Sequence, residues 1–254
     1  MRSRHEQVVK SIHPVTAVVA GRMRSSRLPG KTMAELADKP SLWHIIERLK
    51  RVRRLDEIVV ATTDEPSDDP IRALAQTMGI PSYSGSTEDV LGRTLSAARS
   101  VGARTIVQVT GDCPLLEPSV VEEAIATYLR ETPDYVSTVL ERETFPVGLD
   151  VEVFSTDLLA EVDELTQDPR DREHVSLYIY RHPERYRLVG IEARGRLRRP
   201  DLRLTLDTAE DLAVISAIYR ALWPENPAFT IDDVIDYLDS HPELAEQNRS
   251  AAAR

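Results

Sequence analysis

VTAVVAGRMRSSRLPGK, residues 15–31, is the stretch that decides the fold. Its first six residues are apolar or β-favouring, and a short run of this kind predicts a strand buried on both faces. The loop that follows contains two serines and two glycines, and it carries four cations: Arg22, Arg24, Arg27 and Lys31. In open α/β sheets ligands bind beyond the carboxyl ends of the strands, so this loop is the first candidate ligand site.

The chemistry of this loop favours phosphate. One guanidinium group can donate two hydrogen bonds to phosphate oxygens, and a lysine adds a compact positive charge. Gly30-Lys31-Thr32 matches the end of a Walker A motif, but position 25, where the first glycine of that motif belongs, is Ser25. The loop does not match the GxGxxG fingerprint either. The alternative is a solvated basic loop, and we favour phosphate binding because so many cations follow a buried strand directly.

Strands and helices alternate outward from this stretch. Further strands are predicted at 57–62, 105–109 and 134–139, and helices at 41–52, 69–78, 87–100 and 119–130. After residue 145 the rhythm changes, with strands predicted at 151–154, 186–191 and 202–206 and helices at 171–181 and 209–222. This order predicts an α/β fold, with a mostly parallel sheet, helices on both faces and a small inserted subdomain between about 141 and 200.

The ends of the chain have no apolar stripe. We therefore expect a flexible leader at 1–14, a single domain at 15–240 and a flexible tail at 241–254.

Composition excludes several classes of protein. The chain has 254 residues, 41% of them hydrophobic, and a net charge of −10, which argues against nucleic-acid binding. Its single cysteine allows neither an intramolecular disulfide nor a cysteine metal cluster. The longest early apolar run, 15–20, has strand length and cannot span a membrane. We expect a cytoplasmic protein without a membrane partner.

Two aspartates follow predicted strands at distant points of the chain. Asp112 lies in Thr110-Gly111-Asp112-Cys113-Pro114, and Asp207 lies between the strand predicted at 202–206 and the helix predicted at 209–222. Magnesium sites use one or two carboxylates and leave the other positions to water and phosphate. The alternatives are a turn-forming role for Asp112 and helix capping by Asp207, with Glu210 at capping-box spacing. Together with the cationic loop, the two aspartates predict a magnesium–phosphate site.

The chain resembles the cytidylyltransferase family, most closely the branch associated with spore-coat polysaccharide biosynthesis. Members activate sugar acids such as Kdo and sialic acid as CMP conjugates. The likeness covers residues 15 to about 240 and is carried, in order, by RMRSSRLPGK (22–31), GDCP (111–114), GLDVE (148–152), REHV (172–175) and LDTAED (206–211).

The resemblance implies a Rossmann-like nucleotide-diphospho-sugar transferase fold. It implies that Arg22, Arg27 and Lys31 bind the triphosphate of CTP and that Asp112 and Asp207 ligate Mg²⁺. Family members commonly form homodimers through the part that corresponds to about 141–195. The chain departs from the family at Arg24, where Gly or Ala is usual; the arginine could crowd the nucleotide or add a phosphate contact.

Other candidate residues lie in the first loop, beside predicted strand ends and helix starts, and in the 141–195 span. Nucleotide-binding candidates besides those above are Arg24, Ser26, Thr62, Thr63, Gly85, Ser86 and Thr110, although Ser86 is also a candidate helix cap. Acceptor-binding candidates in the 141–195 span are Asp150, Glu152, Arg172 and His174. A lone histidine near a helix is often structural, so His174 has that alternative role.

The expected reaction is transfer of CMP from CTP to a small anionic sugar or sugar acid, with release of pyrophosphate. Its candidate catalytic residues are Arg22, Lys31, Asp112 and Asp207. A phosphosugar, polyol phosphate or phosphonate acceptor, or another base, is the nearest alternative. A non-catalytic nucleotide-binding protein would not need the two aspartates. A glycosyltransferase of related fold would carry Asp-x-Asp at 112–114, where position 114 is Pro114.

Overall fold

The computed structural model describes residues 12–140 and 142–252. Most of the predicted leader, residues 1–11, lies outside the described part of the chain. The end of that leader lies against the domain, because Ile12 packs on the core and its carbonyl accepts a hydrogen bond from the Thr105 hydroxyl at 2.8 Å.

One seven-stranded sheet forms the centre of the domain, in the order β5-β4-β1-β6-β8-β7-β9. Only β8 runs antiparallel to its neighbours β6 and β7; the other pairs are parallel. A separate hairpin joins β2 and β3. The strands are β1 (Val15–Ala20), β2 (Glu35–Leu36), β3 (Lys39–Pro40), β4 (Glu57–Thr63), β5 (Ser82–Gly85), β6 (Thr105–Thr110), β7 (Tyr135–Ser137), β8 (Glu152–Ser155) and β9 (Leu188–Gly190).

Helices cover both faces of the sheet. They are α1 (Ser41–Leu49), α2 (Asp69–Thr77), α3 (Val90–Ser100), α4 (Pro118–Glu131), α5 (Thr156–Leu165), α6 (Pro169–Glu173), α7 (Leu177–Arg181), α8 (Ala209–Leu222), α9 (Ile231–Ser240) and α10 (Pro242–Ala252). Side chains of α1, α4 and α8 share one core with Val15, Ala17 and Val19, whereas α3 and α5 share the other with Val18. Alternate residues of β1 thus feed opposite cores, which confirms the predicted mostly parallel sheet with helices on both faces.

The expected strand at 202–206 is wrong. Leu202, Leu204 and Leu206 are buried, but their backbone bonds to loops instead of the sheet. Leu204 N–H donates to the carbonyl of Val147 at 2.7 Å, and Leu206 N–H donates to the carbonyl of Asp112 at 2.8 Å. Alternating leucines predict burial, but they do not show which backbone pairs with them.

Other differences concern the second half of the chain. The segment expected to form an inserted subdomain supplies β8 and β9 to the same seven-stranded sheet as the first half of the chain. The helix expected at 171–181 is two short helices, α6 and α7, separated at Val175, whose φ is 41°. Part of the expected flexible tail forms α10, with Leu244 and Ala245 against the core. The sequence analysis did not predict β5, α5 and α9.

Candidate functional site

The loops after β1 and β6 meet at the carboxyl edge of the sheet. They line a pocket of about 370 Å³ together with residues of α3 and with Glu173 and His174. Two glycines allow this close approach: a Cβ on Gly111 would lie 2.8 Å from the Ala20 carbonyl oxygen and 3.0 Å from the Gly21 Cα. The predicted phosphate loop and the predicted metal loop are therefore walls of the same pocket.

Lys31 joins the two candidate metal carboxylates. Its Nζ lies 2.6 Å from Asp112 Oδ2 and 2.8 Å from Asp207 Oδ1. Burial lowers the pKa of Lys31, but the two carboxylates outweigh burial and raise it above the ordinary value. Burial likewise acts to raise the pKa of Asp207, and the Lys31 ammonium together with nearby arginines holds it below the ordinary value. Three of the predicted catalytic residues thus form one ion network.

Asp207 has two further cationic partners. Arg27 Nη2 lies 3.1 Å from Asp207 Oδ1, and Arg203 Nη2 lies 2.7 Å from Asp207 Oδ2. Arg203 also donates from Nε to Asp211 Oδ1 at 2.9 Å, and Asp211 is fully buried. The sequence analysis did not identify Arg203 or Asp211 as site residues. The available signal was the Thr208-x-x-Asp211 spacing, which is that of a capping box with Asp in its last position.

The alternative role of Asp207, capping of the helix, is not found, because the cap lies one residue later. Thr208 is the N-cap of α8, and its side chain accepts from Asp211 N–H at 3.2 Å. The Asp211 carboxylate in turn accepts from the N–H groups of Asp207 and Thr208 at 3.0 and 2.9 Å. The carboxylate of Asp207 is therefore free of the helix start and points into the ion network.

Asp211 holds both Arg203 and the backbone of Asp207, so we expect Asp211→Asn to destabilise the fold. The amide cannot neutralise Arg203, whose side chain is only 16% exposed, and its NH₂ cannot accept from the backbone N–H groups. Breaking a buried charge pair of this kind costs roughly 3 kcal/mol. Urea unfolding of the two proteins measures the difference.

Asp233→Asn is the matched control. Asp233 occupies the same capping-box position on α9 below Thr230, but it is exposed. Loss of an exposed cap interaction costs about 1 kcal/mol. Equal losses for Asp211→Asn and Asp233→Asn would contradict the role that we assign to the Arg203 pair.

The remaining cations of the first loop differ in what holds them. Arg22 Nη1 donates to the Thr87 carbonyl at 3.1 Å. Arg24 is 70% exposed and lies 3.8 Å from Glu65. Both line the pocket, and so does Ser26.

Arg93 of α3 is a pocket residue that sequence reasoning missed. It is 4% exposed, and its guanidinium donates to the Ser86 carbonyl while Nε has no partner among the described atoms. Burial, with a smaller contribution from Arg22, lowers the pKa of Arg93. A buried cation that borders the phosphate loop adds to the positive charge available to an anion. Its only sequence signal was its place on the helix that follows Ser86.

Thr62 and Thr63 were predicted to bind the nucleotide, but neither lines the pocket. Both are buried, and their hydroxyls donate to Asp68 Oδ2 at 2.9 and 2.6 Å. Asp68 Oδ1 accepts from the N–H of Met23 in the cationic loop at 2.8 Å. The two threonines therefore hold the loop through Asp68, because their polar atoms are already paired.

Ser86 caps a turn before the helix. Its Oγ accepts from the N–H groups of Glu88 and Asp89 at 3.2 and 3.1 Å, while Asp89 is the N-cap of α3. Gly85 ends β5 beside this turn, and Thr110 ends β6 on the pocket wall.

The four acceptor-site candidates separate into different environments. Arg172 pairs with Asp89 and Asp163, so the prediction that it binds the acceptor is corrected: its charge is used to join α6 to α3 and α5. His174 lies on the pocket wall. Burial and the charge of Asp112 raise the pKa of Asp150 to about 6, and burial raises that of Glu152 to about 7. Glu152 Oε2 has no partner within the described structure.

Asp112 and Asp207 offer the type of ligand that a divalent cation takes. Within residues 12–140 and 142–252, no group of three or more His, Cys, Asp or Glu side chains has metal-ligating geometry. Magnesium does not need such a group, since one or two carboxylates suffice when phosphate and water supply the other ligands. Asp112 and Asp207 converge within hydrogen-bonding distance of one cation, and they meet this requirement.

A cationic loop after β1, two aspartates that meet on its lysine and a mostly parallel sheet define an enzyme of the nucleotidyltransferase class. No helix in the described ranges is both long and apolar enough to cross a membrane. The cytidylyltransferase family model matches residues 16–251, and the chain belongs to this family of CTP-dependent enzymes.

Individual relatives agree with this assignment. The chain is 30% identical to the spore coat polysaccharide biosynthesis protein SpsF of Bacillus subtilis over 94% of this chain and all of that protein. It is 39% identical to the 3-deoxy-manno-octulosonate cytidylyltransferase of Geobacter sulfurreducens over 47% of this chain and 46% of that one. The structure of a cytidylyltransferase from Leptospira borgpetersenii superposes with a TM-score of 0.85 at 29% identity, covering 91% of this chain and 96% of that chain.

Proposed function

We propose that this protein transfers CMP from CTP to a small anionic sugar or sugar acid and releases pyrophosphate. The observation that carries the proposal is that Lys31 and Asp112, which line a pocket with several arginines, meet Asp207 through the Lys31 ammonium. The relationship to a 3-deoxy-manno-octulosonate cytidylyltransferase supports a sugar acid as the acceptor.

The reaction requires little covalent chemistry from the protein. An acceptor oxygen attacks the α-phosphorus, the bond from that phosphorus to the bridging oxygen breaks, and pyrophosphate leaves with the electron pair. The proton of the acceptor hydroxyl is released to water. Positioning and charge neutralisation dominate such transfers. We assign neutralisation of the leaving pyrophosphate to Arg22, Arg27 and Lys31, which line the pocket.

Asp112 and Asp207 are the residues that would hold Mg²⁺. The cation would supply positive charge to phosphate oxygens in the transition state. The protein holds Asp207 in place through Arg203 and the backbone bonds to Asp211, which orients the carboxylate before any ligand arrives.

The acceptor side of the pocket is assigned to His174, Asp150 and Glu152. His174 borders the phosphate pocket, and the charge of Asp112 acts on Asp150. We also propose a homodimer formed through about residues 141–195. In support, β9 lies at the edge of the sheet and so leaves one side of its backbone unpaired within that sheet.

We expect CTP with Mg²⁺ to raise the melting temperature more than ATP, GTP or UTP does. A ligand that binds only the folded state at a hundredfold excess over its Kd stabilises it by about 2.7 kcal/mol. Differential scanning fluorimetry with the four nucleotides is the measurement. Equal or greater stabilisation by another nucleotide would remove the cytidine assignment.

The acceptor is identified separately by pyrophosphate release. With CTP fixed, the panel contains sugar acids on one side and phosphosugars, polyol phosphates and phosphonates on the other. Turnover with a sugar acid supports the proposal, and turnover confined to phosphorylated compounds establishes the alternative acceptor class.

A further inference from the structure

The Lys31 ammonium already occupies the position between the two carboxylates to which we assign the metal. It contacts Asp112 Oδ2 at 2.6 Å and Asp207 Oδ1 at 2.8 Å, and its side chain is 16% exposed. Such short, partly buried contacts are stronger than surface ion pairs, because water screens them less. A divalent cation that approaches these carboxylates therefore has to displace an ammonium.

The charges around this contact already balance. Three cations, from Lys31, Arg27 and Arg203, face three carboxylates, from Asp112, Asp207 and Asp211. An added divalent cation would leave the cluster with an excess of two positive charges. A triphosphate that arrives at the same pocket would supply the negative charge that is missing.

Lys31 can change partners without a change of the loop backbone. Gly30 N–H donates to the Met23 carbonyl at 2.8 Å, and Met33 N–H donates to the Gly30 carbonyl at 2.9 Å, so the main chain beside Lys31 is tied down. The side chain itself has a flexible stem of four methylene groups and lines the pocket. Rotation of this stem moves the ammonium within the pocket while the hydrogen-bonded backbone stays in place.

We propose that in the free enzyme the Lys31 ammonium occupies the metal position between Asp112 and Asp207. The triphosphate then binds the ammonium and so frees the two carboxylates for the metal. The inference rests on the proposed function, because it needs Asp112 and Asp207 as metal ligands. In the exchange, two ammonium–carboxylate contacts are lost, an ammonium–phosphate contact forms, and the carboxylates become available to the cation. Metal and nucleotide therefore bind cooperatively, and each raises the affinity of the other by the same factor.

Binding of Mn²⁺ to the nucleotide-free protein tests the inference without reference to activity. Free Mn²⁺ is measured by electron paramagnetic resonance for the unaltered protein, Lys31→Met and Arg24→Ala. Lys31→Met should bind Mn²⁺ at least tenfold more tightly than the unaltered protein, a change of about 1.4 kcal/mol. Arg24→Ala removes a charge from the same loop, but Arg24 contacts neither aspartate and is 70% exposed, so its Mn²⁺ affinity should stay within about twofold.

The outcomes separate this inference from the proposed function. If Lys31→Met binds Mn²⁺ no better than the unaltered protein, or if Arg24→Ala gains equally, direct occupancy by Lys31 is overturned. In the double variant Lys31→Met/Asp112→Asn the gain should vanish. If the gain persists, the metal lies elsewhere and the metal site of the proposed function fails.

A second measurement uses the unaltered protein, in case Lys31→Met does not fold. In the presence of EDTA, calorimetry should detect binding of inorganic tripolyphosphate, because the anion itself draws Lys31 from the carboxylates. Mn²⁺ without phosphate should bind at least tenfold more weakly than tripolyphosphate without metal, again about 1.4 kcal/mol. The reverse order, with tight Mn²⁺ binding and no metal-free tripolyphosphate binding, would overturn the inference.

Discussion

Asp112→Asn and Asp207→Asn should each reduce turnover by about two orders of magnitude or more, which is roughly 3 kcal/mol of transition-state stabilisation. Each substitution keeps the size of the side chain and removes the charge that would hold Mg²⁺. The two residues lie 95 positions apart in the chain, yet both contact the Lys31 ammonium. Steady-state pyrophosphate release with saturating CTP and metal is the measurement.

The control for this prediction is Glu210→Gln. Glu210 lies three residues beyond Asp207 in the first turn of α8, and no ion pair of it is found in residues 12–140 and 142–252. Its loss should leave turnover within about twofold, as is usual for surface changes. Asp211→Asn, a natural choice from the sequence alone, is unsuitable because Asp211 is buried against Arg203. If Glu210→Gln lowers turnover as much as the two asparagine variants, the carboxylates of the site have been assigned wrongly.

Asp207→Asn should leave the start of α8 intact. Helix capping was the alternative role of Asp207, whereas Thr208 provides the cap and Asp211 completes the box. Far-UV circular dichroism should therefore be unchanged, and loss of helix would point to a structural cause for the loss of turnover.

Lys31→Ala should also lose about two orders of magnitude of turnover, roughly 3 kcal/mol, at every CTP concentration. We place the ammonium on the triphosphate in the reacting complex, where its contact strengthens as pyrophosphate leaves. An interaction made mainly in the transition state lowers kcat, and excess substrate does not restore it. A CTP titration that recovers full turnover at saturation would show that Lys31 only binds substrate.

The empty Lys31→Ala protein should melt at a lower temperature than the unaltered protein. Lys31 is largely buried between two carboxylates, so its side chain also contributes to the stability of the empty protein. Its removal leaves those carboxylates facing each other without the bridging cation. Arg24→Ala is the matched control from the same loop and should leave the melting temperature unchanged, since Arg24 is 70% exposed.

Local sequence patterns predicted the central strands whose carboxyl ends border the site. The apolar run at 15–20 and the largely apolar run at 57–62 were predicted as buried strands, and both are central in the sheet. The loop that begins at Gly21 follows one of these strands, and parallel strands place their carboxyl ends at one edge. The ordered motifs at 22–31, 111–114 and 206–211 are sufficient to indicate the family, which the family model confirms.

Polar elements were harder to predict. Strand β5, Ser82–Gly85, is polar and partly exposed, so it lacks the apolar run that marks the central strands. It is a strand because β4 offers it a partner in parallel register. The leucines at 202–206 show the opposite case, since they are buried as a strand would be but have no sheet partner.

The partners of the charged groups were decided by tertiary structure alone. Lys31 meets Asp112 across 81 positions and Asp207 across 176, and Arg172 meets Asp89 across 83. Which cation neutralises which carboxylate depends on where distant loops meet. The desolvation cost of a buried charge is offset only when its partner lies at contact distance. The sequence by itself therefore determined the central strands of the sheet, the cationic loop and the family. The tertiary structure decided that Lys31 joins the two aspartates, that Thr62 and Thr63 bond to Asp68, and that Arg172 joins helices.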